Sequence, residues 1–199
     1  MSKADPACCV LNVIRALLGK RFIKMLFRPL SQVLSTSRVL RSLGAQVGDS
    51  CHIASDICVY NLPGYSCGNL RIGDHVYIGP RCVFDLTATV VVEDYCSIGA
   101  QVTFITHIDV GVGPLKNVIP REEGSIHVRR GAWVGVNSTV LHGVTIEQCS
   151  MVGAMSLVNR SLPPRSVSFG IPCRTVRSLP EEYVAAAATQ SQRVAHSGA

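Results

Sequence analysis

Thr106-His107, with Asp109 two residues on, sits where the most regular pattern in this chain breaks off. A neutral imidazole accepts a proton well near pH 7, because its ordinary pKa lies close to that value. His107 is therefore placed to act as a general base toward a weak nucleophile such as a hydroxyl. Asp109 has the type and spacing to orient the ring and stabilise the imidazolium. It is equally suited to shaping the turn of its loop, with a backbone carbonyl holding the ring instead. The other histidines have weaker settings: His52 and His75 fall at exposed repeat positions, His142 in a Leu-His-Gly turn, and His196 in the tail. His127, just past the loop, is the one competitor.

What must position His107 is a six-residue rhythm. An aliphatic or aromatic residue recurs at Val47, Ile53 and Val59, then at Ile72, Ile78 and Phe84, and at Val92, Ile98 and Phe104. It resumes at Val128, Val134, Val140, Ile146, Val152 and Val158. Six is neither the strand period nor the helix period, so it describes a repeating coil. Three hexads make one triangular turn of a parallel β-helix, with the apolar residue inward and Gly or a polar residue at the corner. Stacked turns pair every backbone edge except those at the ends. Insertions must leave such a coil as loops, and loops carry function. They fall at 61–68, between Phe84 and Val92, and at 105–127 after Phe104.

Composition narrows the function classes. The net charge of +6 belongs to the N-terminus: residues 1–45 carry eight Lys or Arg against Asp5, whereas 46–199 carry eleven against twelve acids. Basic and aromatic residues are not interleaved, which argues against nucleic acid as a partner. Nine cysteines, an odd number without a CxxC pair, favour a reducing compartment and argue against a zinc cluster. Cys51, Cys82 and Cys96 take the small-residue position of the repeat, where a thiol behaves as a compact apolar group. A secretory signal is not expected, because basic residues break the apolar stretches Cys8–Val13 and Phe22–Leu30, and no run approaches the roughly 20 apolar residues of a spanning helix. Residues 1–46 read as an amphipathic helical segment that caps the open end of the stack, its basic face also suited to an anionic membrane surface. Residues 47–177 form the coil domain, and 178–199 a short helix and tail.

Several segments together make the reading specific. They are Phe84-Asp85-Leu86-Thr87, Ile98-Gly99-Ala100-Gln101-Val102-Thr103-Phe104 and Ile105-Thr106-His107. Downstream follow Gly131-Ala132-Trp133-Val134-Gly135, Gly143-Val144-Thr145-Ile146, Val152-Gly153-Ala154 and Gly170-Ile171-Pro172-Cys173-Arg174. In these the chain resembles the hexapeptide-repeat acyltransferases, in particular the maltose, galactoside and surface-polysaccharide O-acetyltransferase group. The resemblance covers residues 47–177 and implies an all-β fold, a left-handed parallel β-helix, assembled as a homotrimer that takes acetyl-CoA between subunits. The left hand comes from the family alone, since parallel crossovers are otherwise right-handed.

The resemblance also implies roles. His107 matches the catalytic histidine, and Asp85, with Thr106 beside the base, stands where relatives contact the acceptor, although they carry Asn at position 85. Trp133, Gly135, Gly153 and Ala154 match the pantetheine channel, with the small residues letting the cofactor approach the backbone. Arg160, Arg174 and Arg177 match basic positions near the nucleotide end of CoA. The expected reaction is acetyl transfer from acetyl-CoA to a hydroxyl of a sugar or glycosylated small molecule, without a metal, in the cytoplasm or peripherally at the inner face of the membrane. An antibiotic or amino-sugar acceptor stays open. So do a non-catalytic β-helix scaffold and a carbonic anhydrase-like hydratase using His75, His107 and His127.

Overall fold

The computed structural model describes residues 35–182. The amphipathic reading of residues before 35 and the tail after 182 lie outside them. The described chain winds as a parallel β-helix with three faces. The first stacks Gln46–Val47, Leu70–Ile72, Val90–Val92, Ile126–Val128 and Thr145–Ile146. The second stacks His52–Ile53, Tyr77–Ile78, Ser97–Ile98, Trp133–Val134, Met151–Val152 and Ser166–Phe169. The third stacks Cys58–Tyr60, Val83–Asp85, Thr103–Phe104, Thr139–Val140 and Leu157–Val158.

Parallel register aligns the expected inward residues into columns. Ile72, Val92, Val128 and Ile146 pair in turn on the first face, and Ile53, Ile78, Ile98, Val134 and Val152 on the second. Val59, Phe84, Phe104, Val140 and Val158 follow on the third, with the two phenylalanine rings stacked 5.0 Å apart. All these residues are buried, and they form one continuous core. The six-residue period thus translates directly into a stack of apolar layers.

On the second face, the corners after Ile78, Ile98, Val134 and Val152 use two devices. A glycine follows the inward residue because successive coils nearly touch there: a Cβ on Gly135 would lie 2.5 Å from the Ala154 amide nitrogen, and one on Gly99 2.7 Å from that of Val136. The left-handed turn residue comes two places later and is not glycine; Arg81, Gln101, Asn137 and Met155 hold it on successive coils. The small residue of each hexad does more than fill space. Cys51, Cys82 and Cys96 donate their S–H to the carbonyls of Gly73, Gly99 and Arg129 at 3.0, 3.0 and 3.1 Å. Ser138 and Ser150 donate to Gly153 and Pro163 in the same way, at 3.0 and 2.7 Å. The expectation of a merely apolar thiol is corrected: at these positions Cys does the work of Ser.

The ends are closed differently. Thr36–Ser42 is a helix whose Val39 and Leu40, with Leu43 after it, join the core over the first coil. Arg41 in its last turn donates to the carbonyls of Val47 and Gly48, fixing the helix to that coil. At the far end, Arg174–Ser178 turns back antiparallel onto Ser166–Phe169 and forms the outer edge of the second face. Among the described residues, no helix is long and apolar enough to cross a membrane.

Candidate active site

The site gathers where strands of the third face end. Cys58–Tyr60 runs into the 61–68 excursion, and Val83–Asp85 into the small insertion before Val90. One coil later Phe104 leads to Thr106, after which the chain leaves the stack. It departs as His107–Ile108 and returns as Glu122–Glu123, the two paired antiparallel with His107 opposite Glu123. The Gly124 amide donates to the Thr106 carbonyl at 2.9 Å and closes the base of this hairpin.

His107 Nδ1 lies 2.5 Å from Asp85 Oδ2, although the residues are 22 apart in sequence. Asp85 is fully buried, and every direction around its carboxylate is taken. Oδ2 also accepts the Thr106 amide at 3.0 Å. Oδ1 accepts the Asn61 side-chain amide at 2.9 Å, the Thr87 hydroxyl at 2.8 Å and the Thr87 backbone N–H at 3.1 Å. Burial by itself raises this carboxyl's pKa, but the hydrogen bonds from His107, Asn61 and Thr87 outweigh it and hold the group well below the usual carboxylate range. Asp85 is thus ionised at neutral pH. It accepts from Nδ1–H, which leaves the proton off Nε2 of the neutral ring. His107 is one-fifth exposed and lines an open cleft of about 370 Å³ with Asn61, Leu62, Pro63, Thr87, Arg121 and Glu123.

Several expected site residues take other places. Asp109 does not hold the ring: its carboxylate accepts the Gly111 amide at 2.8 Å and Arg121 Nη1 at 3.0 Å, and both keep it below its ordinary pKa. Asp85, not Asp109, holds the His107 ring. Asp85 in turn cannot meet an acceptor, because it is buried and its oxygens are occupied. Thr106 is fully buried as well; its hydroxyl donates to the Asp85 carbonyl and accepts the Ala88 amide, tying the small insertion to the root of the hairpin. Gly135 and Gly153 are required by the coil itself, since a Cβ would strike Ala154 and Phe169. Their need for glycine therefore carries no information about a cofactor.

The remaining residues lie elsewhere on the surface. Trp133 faces outward on the second face, in a column with Tyr77 and Met151, all partly exposed and apolar. Ala154 is exposed at the corner after it. Arg160 is exposed on the last coil, and Arg174 and Arg177 are exposed on the edge strand, with Arg174 reaching Asn159 at 3.4 Å. His127 pairs within the first face, away from the cleft lining. Among the described residues, no three His, Cys, Asp or Glu side chains converge as a metal site would need.

Sequence reasoning missed Asn61, Thr87, Arg121 and Glu123. The first two were within reach of it. Aligning Phe84 with Phe104 one coil on sets Asp85 beside 105–107, and aligning Val59 with Phe84 brings Asn61 to the same corner. Arg121 and Glu123 return through a loop with no repeat to count along.

The fold is that of the hexapeptide-repeat, left-handed β-helix acetyltransferases. No protein-family model matches the sequence. In sequence, a Staphylococcus aureus (strain Mu50) protein that bears the provisional name acetyltransferase is 34% identical over 116 residues, 56% of each chain. The chain therefore spans about half the length of such relatives. The galactoside O-acetyltransferase of Escherichia coli (strain K12) is 27% identical over 158 residues, covering 75% of this chain and 71% of that one. Among solved structures, a hexapeptide-repeat acetyltransferase from Vibrio cholerae superposes with a TM-score of 0.67 at 25% identity, over 89% of this chain and 96% of that one. A galactoside acetyltransferase in complex with coenzyme A gives 0.68 at 19% identity, over 92% and 87% of the two chains, a likeness of fold. The resemblance read from the motifs thus holds in sequence and in fold.

Proposed function

We propose that this protein is an acetyl-CoA-dependent O-acetyltransferase that acts on a hydroxyl of a sugar or glycosylated small molecule. The observation that carries the reading is the Asp85–His107 pair at the mouth of the cleft. Nε2 of His107 takes the proton of the acceptor hydroxyl as its oxygen attacks the thioester carbonyl. Asp85 stabilises the imidazolium that forms. Collapse of the tetrahedral intermediate breaks the carbon–sulfur bond, and the imidazolium returns its proton to the departing thiolate. Acetyl ester and free CoA thiol result, with His107 restored.

The donor is inferred from relatives: the galactoside acetyltransferase that shares the fold binds coenzyme A. Trp133, Ala154, Arg160, Arg174 and Arg177 are the groups assigned to acetyl-CoA here, an apolar ring and exposed cations suited to a pantetheine arm and phosphates. They lie on the second face and last coil, whereas the base lies at the end of the third. That separation supports a homotrimer, in which one subunit's base faces another's donor groups. Exposed apolar side chains of the hairpin tip, Val112, Leu115 and Val118, fit the same assembly. Release of free CoA thiol, measured across sugars, amino sugars and glycosylated antibiotics, tests the reaction. His107→Ala should reduce turnover about a hundredfold or more; activity that survives this change would remove the proposed base.

A further inference from the structure

The hairpin that carries His107 also brings two adjacent glutamates to opposite sides. Glu123 stands opposite His107 and Glu122 opposite Ile108, so the pleat puts Glu123 on the imidazole's face and Glu122 on the other. Glu123 lines the cleft, and Glu122 does not. Arg121 fixes Glu123 there: Nε and Nη2 both donate to Oε1, at 2.8 and 2.6 Å, while Nη1 holds Asp109 Oδ2 at 3.0 Å. The guanidinium thus bolts the outgoing arm of the hairpin to the returning one. Its positive charge is matched by two carboxylates, and neither side-chain partner is shared with the His107–Asp85 pair. Glu123 Oε2 takes no hydrogen bond among the described residues.

Counting charges around the base gives three carboxylates, Asp85, Asp109 and Glu123, against one guanidinium. The other cleft-lining groups, Asn61, Leu62, Pro63 and Thr87, are neutral. A substrate carrying a carboxylate or phosphate next to its reactive hydroxyl would add like charge to this cluster. One carrying an ammonium would meet Glu123 Oε2 at the cleft wall, and a neutral polyol would donate a hydrogen bond to it.

We propose that Glu123, held in the cleft wall by Arg121 as a positioning residue, selects acceptors by charge, admitting neutral or amino-substituted hydroxyl compounds and rejecting anionic ones. The inference rests on the hydroxyl-acetylation reading above. It assigns the selection to a carboxylate on the hairpin, and not to the buried network that holds the base.

The test is kcat/KM, by CoA thiol release, for three matched acceptors: a methyl glycoside, its amino-sugar counterpart and its uronate. The wild type should favour the amino sugar over the uronate by about tenfold or more. Glu123→Gln keeps size and the contact to Arg121, and should reduce that ratio about tenfold. Glu122→Gln makes the same change in net charge on the far side of the hairpin, and its ratio should match the wild type. Arg121→Lys loses the planar fork that fixes Glu123 through two N–H groups while holding Asp109 with a third, and should raise KM for the amino sugar more than it lowers kcat. A wild-type preference for the uronate, or a ratio unchanged in Glu123→Gln, overturns the proposal. Equal effects of Glu122→Gln and Glu123→Gln would reduce it to net charge and overturn it too. If no acceptor of any charge releases thiol, the acetyl-transfer reading itself falls, an outcome distinct from acetylation that ignores charge.

Discussion

Asp85 and His107 lie 22 residues apart in sequence, yet their side chains meet at 2.5 Å because one coil of the helix separates them. The carboxylate sits at the end of one strand of the third face and the imidazole just past the end of the next. Stacking of coils, and not local sequence, makes the pair.

Asp85→Asn removes the charge that stabilises the imidazolium and allows the amide to present N–H to Nδ1, which favours the wrong tautomer. Turnover should fall about a hundredfold or more, with KM for acetyl-CoA little changed. Steady-state kinetics on both substrates checks this. A loss confined to KM would show that Asp85 serves binding.

The same substitution should change stability in a pH-dependent way. Asp85 is held below its unfolded pKa, so it stabilises the folded chain above about pH 4, and this contribution is lost as pH falls further. The difference in Tm between wild type and Asp85→Asn is therefore expected to narrow from pH 5 to pH 3. Thermal melts at several pH values measure it; a gap that widens on acidification contradicts the sign.

Gly135→Ala should destabilise the coil by roughly 1–3 kcal/mol, since its Cβ would press on the Ala154 amide nitrogen 2.5 Å away and backbone must shift. Gly113→Ala, with open space around the added atom, should leave Tm within about 2 °C of the wild type. Equal effects would mean that the coils do not approach as described.

Burial pushes the Cys96 thiol up to about 12 and that of Cys82 to about 11, so neither supplies thiolate at pH 8. Cys58 is exposed. Peptide mapping after brief alkylation should find Cys58 modified, and Cys82 and Cys96 untouched until the chain unfolds. Cys96→Ser should be tolerated better than Cys96→Val, because the hydroxyl still donates to the Arg129 carbonyl.

Joint replacement of Arg160 and Arg174 by Ala should raise KM for acetyl-CoA about tenfold and leave KM for the acceptor unchanged. Initial-rate kinetics with each substrate varied in turn separates the two. An effect on the acceptor alone would relocate the donor site.

The coil was legible because its period is a direct image of its geometry: each inward residue, from Ile53 to Val158, is buried in the column its spacing predicts. His107 was legible as the candidate base because it stands at the one long break. Its partner was not, because proximity along the chain favoured Asp109, whereas proximity across coils belongs to Asp85. The corner glycines were ambiguous for a related reason. A close approach by a neighbouring coil and one by a ligand leave the same mark in sequence, and here the neighbour at Gly135 is Ala154.

The strand Arg174–Ser178 runs against the grain of the face it borders. A purely parallel stack presents at its last coil the same template that every earlier coil presented, so another chain could continue it without limit. The reversed strand ends that template on one face, and it does so with Arg174 and Arg177 outermost and exposed. Deleting it would leave Ser166–Phe169 as an unpaired edge on that face.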